Sequence, residues 1–181
     1  MIKMLSRSSS TPKFMSLMSR SAVIITTIVV FAGFLCTIAA ETYEDSISVY
    51  EQIDRYKVIW NTHDAAALAA LFTEDADFIM GNQPLILGRK GIQNWWWNYL
   101  KIQEPERRLI IIVHSVRIIS TDVAVVNVAT TTGGQDSQGK ELLARKARGT
   151  WVLYRQSGKW LIIAMRGMPT EKDKIIRRSS Q

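Results

Sequence analysis

Between residues 108 and 168 the sequence carries four consecutive runs dense in β-branched and aromatic residues: Arg108–Ile119, Asp122–Thr132, Leu142–Tyr154 and Trp160–Met168. Only turn segments part them: Ser120–Thr121, Gly133 to Gly139, and Gln156–Ser157–Gly158. Such side chains suit the pleated, half-buried surface of a sheet. Connections this short cannot carry the crossover that parallel neighbours need, so each run must pair antiparallel with the next. A meander of this length coils strongly, and one of its faces needs a cover.

The cover comes first in the chain. From Glu41 to Asn61, Val49, Ile53, Tyr56 and Trp60 fall on one apolar stripe at helical spacing. Asp64 stands where a helix N-cap belongs, ahead of Ala65, Ala66, Ala67 and Leu68. Leu68, Leu71 and Phe72 continue that second helix, which Thr73, Glu74 and Asp75 should end. A first strand follows, with Phe78 and Met80 on one side and Asp77 and Ile79 on the other. A third helix is expected from about Lys90 to Leu100. Ile92, Trp96, Tyr99 and Leu100 share a face there, and Trp95, Trp96 and Trp97 cannot all share it. Helices first and strands after describe an α+β domain: three N-terminal helices laid on a strongly curved, mainly antiparallel sheet.

Residues 1–40 read differently. They carry Lys3, Arg7, Lys13 and Arg20 and no acid, and residues 22–40 hold no charge at all. Basic start, apolar run and small residues at Ala39 and Ala40 make a secretory signal, with cleavage near Ala40–Glu41. An uncleaved membrane anchor is the competing reading, since 19 apolar residues are just enough to span a bilayer. The expected organisation is therefore a leader over 1–40, one domain over 41–169 and a polar, basic tail over 170–181. Export follows from a cleaved leader, and membrane attachment follows only from a retained one. Without the four leader cations, 19 basic side chains face 16 acids, a net charge of +3 that gives no reason to expect a nucleic-acid partner. Cys36 leaves with the leader, and the two histidines, His63 and His114, make no zinc donor set by themselves. No phosphate-binding glycine loop and no nucleophile elbow occurs, so no metal or cofactor is expected.

Several short patterns then fall in a familiar order. They are Trp60-Asn61-x-x-Asp64, Leu71-Phe72-x-x-Asp75-Ala76, Gly88-Arg89-x-x-Ile92, Asp122-Val123-Ala124-Val125, Arg148-Gly149-Thr150 and Gly158-Lys159-Trp160. Together they resemble the nuclear-transport-factor-two-like superfamily, and within it the secreted SnoaL-like branch sometimes labelled SgcJ/EcaC. The resemblance implies a cone of the cystatin-like kind with a pocket at its wide end, and dimerisation through the outer face of the sheet. Ketosteroid isomerase is similar in fold, and its catalytic tyrosine carries over onto Tyr56. Its carboxylate base carries over onto Met80 and its neutral aspartic acid onto Thr150, so both carboxylates of that mechanism are absent. The cyclases and dehydratases of the branch place His or Asp inside the cone. Here His114 is the candidate, since it alternates with Ile110, Ile112, Val116 and Ile118 on what reads as the inner face.

Three readings stay open on the sequence. The first is a domain that binds a small apolar molecule in a pocket lined by Tyr56, Trp60, Phe78, Met80, Trp96 and His114, with Arg148 and Thr150 toward its mouth. The second is a dehydratase, isomerase or cyclase with His114 as base and Tyr56 or Thr150 polarising a carbonyl. The third is an assembly module pairing through Leu143, Trp151, Leu153, Leu161 and Ile163 on the outer sheet face.

Overall fold

The computed structural model describes residues 44–170; the leader with its cleavage site, and the basic stretch 171–181, lie outside the described residues. Helix α1 runs over residues 44–60. It is followed by α2 (Ala65–Ala69), β1 (Phe72–Met80), β2 (Ile86–Leu87), α3 (Gly88–Lys101), β3 (Arg108–Ser120), β4 (Val123–Gln135), β5 (Glu141–Gln156) and β6 (Lys159–Pro169). All six strands form one sheet in the order β2-β1-β6-β5-β4-β3. The four C-terminal strands make the antiparallel meander that their short turns demand. β1 returns along the far side, parallel to β6, with the short β2 at the edge. The fold is α+β, with a curved, mainly antiparallel sheet under the helices.

The α1 stripe does what its spacing predicts: Val49, Ile53, Tyr56 and Trp60 are all buried. Asp64 caps α2, its Oδ1 accepting from the Ala67 N–H at 2.9 Å. The next expectation fails. Thr73, Glu74 and Asp75 do not end a helix; they lie inside β1. The Ile162 N–H donates to the Leu71 carbonyl at 2.9 Å, so the sheet captures the chain directly after the last turn of α2. Of the three adjacent tryptophans, Trp96 is buried, Trp95 is half-buried and Trp97 is exposed, as their angular separation on α3 requires.

Polar pins fix the helices to the sheet, and they account for much of the motif pattern. Asn61 acts as a surrogate strand at the end of α1. Its Oδ1 accepts from the Leu109 N–H at 2.8 Å and its Nδ2 donates to the Leu109 carbonyl at 3.4 Å. Arg89 ties the start of α3 to the start of β1, with Nε and Nη2 both donating to the Phe72 carbonyl and Nη1 paired with Glu74. Trp160 donates its indole N–H to Ser48 Oγ at 2.9 Å, while Arg155 stacks on the Trp160 ring and pairs with Asp45.

Irregularities in the strands decide which side chains face the helices. Val113 pairs with Val128 and Ser115 with Asn127, so His114 is an extra residue in β3. Before this bulge Leu109, Ile111 and Val113 turn inward, and after it Val116 and Ile118 do. Ile163 is likewise extra in β6, which moves the inward set from Trp160 and Ile162 to Met165 and Gly167. An extra residue bends the strand and reverses its alternation.

Candidate functional site

Helices α1 and α3 and the inner face of the sheet enclose a cavity of about 740 Å³. Its walls are largely aromatic: Tyr56 and Trp60 from α1, Trp95, Trp96 and Tyr99 from α3, and Trp151 from β5. Tyr56 packs against Trp151 at 4.7 Å between ring centroids, and Trp95 stacks on Tyr99 at 5.0 Å. Met80, Leu109, Val128 and Met165 complete the apolar surface. Met80 can lie over β6 because residue 167 is glycine; a Cβ there would stand 2.5 Å from Met80 Sδ. Asn82, Gln83, Asn98, Thr130 and Thr132 add uncharged polar groups. The charged residues of the lining are Arg145, Lys146 and Arg148, and no Asp, Glu or His takes part in it.

Two of the wall residues are poised as hydrogen-bond donors. Burial, and secondarily the neighbouring Tyr99, pushes the Tyr56 phenol well above its ordinary pKa. Tyr56 is therefore a neutral phenol across the physiological range, able to donate a proton in a hydrogen bond and not to accept one as a base. The indole N–H of Trp96 is buried without a partner among the described residues. A buried donor left unsatisfied is costly.

The structure divides the residues that the sequence singled out. Tyr56, Trp60, Met80, Trp96 and Arg148 contribute to the cavity lining. Phe78 stands behind the wall, fully buried against Trp95 and Trp96. His114 and Thr150 are outside it. His114 is exposed: it follows the outward parity of Ile110 and Ile112, and the β3 bulge at this residue parts it from Val116 and Ile118, which turn inward. Thr150 is exposed on the outer face, where its Oγ1 donates to Asn127 Oδ1 at 2.8 Å and Asn127 Nδ2 donates to Ser115 Oγ at 3.0 Å. Arg148 has the same outward parity as Thr150. The set that β5 turns inward is the one holding Trp151 and Leu153, both buried under the helices. Those two are core residues, not members of an outer contact face; Leu143 is exposed, and Leu161 and Ile163 are half-buried.

Sequence reasoning passed over Trp95 and Arg145 as cavity residues. Trp95 precedes Tyr99 by one helical turn, which was the available signal. Arg145 shares the parity of Trp151, two alternations beyond Gly149. Among the described residues, no cluster of three or more His, Cys, Asp or Glu is placed to hold a metal ion.

Comparison with known proteins fits this architecture. The SnoaL-like domain family matches residues 41–166. No curated protein sequence matches the chain at a significant level. Among solved structures, a putative calcium/calmodulin-dependent protein kinase II association domain from Xanthomonas campestris is 24% identical, with 68% of this chain and 86% of that one covered and a TM-score of 0.59. A ketosteroid isomerase-like protein from Erwinia carotovora atroseptica is 15% identical over 70% of this chain and 96% of that one, with a TM-score of 0.59. A putative scytalone dehydratase from Novosphingobium aromaticivorans is 14% identical over 74% and 89%, with a TM-score of 0.62. At these identities the likeness is one of fold.

Proposed function

The chain belongs to the SnoaL-like domain family, and on that premise we propose that it is an exported binding domain. It holds a small, largely apolar ligand in the cavity and works as a homodimer paired through the outer sheet face. The observation that carries the binding reading is the lining itself, an aromatic cage with two donors and no Asp, Glu or His. Dehydration and isomerisation need a proton acceptor near neutral pH within reach of the substrate. Tyr56 stays protonated, Met80 has no basic atom, and His114 and Thr150 are outside the lining. The same walls suit a ligand of apolar body with an acceptor for the Tyr56 phenol. Export rests on the uncharged run over residues 22–40. Pairing rests on Ile110 and Ile112, both more than half exposed on the face turned away from the helices.

A thermal-shift screen of apolar metabolites tests the binding reading. A ligand at 100 times its Kd adds ~2.7 kcal/mol to the folded state. A rise in Tm accompanied by quenching of the tryptophan fluorescence supports it, because Trp60, Trp95, Trp96 and Trp151 all line the cavity. A broad panel that moves neither signal rejects it.

A further inference from the structure

Arg145 is a cavity cation that another side chain holds in place. It lies on the inward parity of β5 and lines the cavity. Its Nη1 donates to Gln103 Oε1 at 2.8 Å, and Gln103, buried at the end of α3, donates its own Nε2 to the Tyr99 carbonyl at 3.0 Å. The nearby acid, Glu104, is engaged elsewhere: Arg107 Nε donates to its Oε2 at 2.8 Å. Among the described residues no carboxylate is in salt-bridge contact with Arg145, which acts on Glu104 only as the weakest of the influences that lower its carboxyl. A half-buried guanidinium oriented by an amide, beside apolar walls and with no acid in the lining, is an incomplete ion pair. Its planar fork matches a carboxylate in two parallel hydrogen bonds.

We propose that the cavity takes an amphiphilic organic anion, whose carboxylate is bound by Arg145 and whose apolar body lies against Tyr56, Trp96 and Trp151. This rests on the binding reading above and names the class of ligand. Gln103 is then a positioning residue, and Arg148, exposed where it joins the lining, adds a further attraction for the anion.

Two fluorescent probes of nearly the same body separate the two ideas, anilinonaphthalene sulfonate and the uncharged N-phenylnaphthylamine. The sulfonate stands in for the carboxylate. On the full chain the anion should bind about tenfold more tightly than the neutral probe, the scale of one charge-assisted hydrogen bond. Arg145→Gln, which keeps an amide to meet Gln103, should bring the two affinities together chiefly by weakening the anion. Arg117→Gln removes the same charge from an exposed position of β3 outside the cavity lining and should leave the ratio as it was. Neutral binding equal to or tighter than anion binding, or a ratio that survives Arg145→Gln, overturns the anion proposal while the binding reading stands. If neither probe binds, both fall together. If circular dichroism shows that Arg145→Gln does not fold, the ratio measured on the native chain decides alone.

Discussion

Arg107 is only 1% exposed, and its guanidinium is held at two of its nitrogens: Nε donates to Glu104, and Nη1 donates to the Thr132 carbonyl at 3.3 Å and the Leu143 carbonyl at 2.9 Å. One guanidinium thus closes the link between α3 and β3 onto β4 and β5. Its hydrogen bond is the main reason that the Glu104 carboxyl is lowered from about 4.5 to about 2. A carboxyl with a depressed folded pKa adds stability above its unfolded value and loses it as pH falls toward the folded one. Glu104 is partly exposed, so the contribution is screened and modest. The advantage of the native chain over Glu104→Gln should be largest above pH 4.5 and shrink steadily as pH drops to about 2. Urea unfolding at stepped pH measures it, and a gap that stays constant or widens on acidification contradicts the pairing. Nothing in the sequence marks Arg107 apart from Arg108, because which of two adjacent arginines turns inward depends on a strand phase that only the packed sheet fixes.

At the level of elements the helices were far more legible than the faces of the strands. The α1 stripe, the Asp64 cap and the impossibility of three adjacent tryptophans sharing one face of α3 could all be read from spacing, since helical periodicity is local and a cap needs only its own backbone. The strand runs and their turns were also plain. What failed was parity, because one added residue reverses a strand and leaves no mark on an apolar run such as Arg108–Ile119. His114 looked inward because Val116 and Ile118 do, and the bulge breaks that parity before it reaches His114, Ile112 and Ile110. Two variants separate bulge from side chain. Replacing His114 by Thr should cost within about 0.5 kcal/mol and leave ligand affinity unchanged, as for an exposed substitution. Deleting His114 forces either Leu109, Ile111 and Val113 or Val116 and Ile118 off the core, and should abolish the cooperative thermal transition. A deletion variant that melts like the native chain would mean that the bulge is not what sets the inner face. A point variant that loses binding would return His114 to the site.

For the molecule as a whole, the sheet is a wall with two faces, and side chains alternate between them. On β4, Val128 faces the cavity while Asn127 joins Ser115 and Thr150 in a polar row on the other side. Exposed Ile110 and Ile112 sit on that outer side of β3. That outer face is apolar at one edge and polar at its centre. If two copies pair there, dimerisation and ligand binding use opposite sides of the same strands and should be separable. Among the described residues the buried core runs from Val49 to Met165, and the chain from Glu41 on, the form that cleavage of the leader would leave, serves for the measurement. It should sediment as a dimer at micromolar concentration. Ile110→Lys with Ile112→Lys should give a monomer with unchanged β-sheet circular dichroism, because neither side chain contributes to the core. That monomer should bind the apolar probes as tightly as the dimer does. A native chain that sediments as a monomer rejects the pairing. A folded monomeric variant that no longer binds would show instead that one protomer does not complete the cavity by itself.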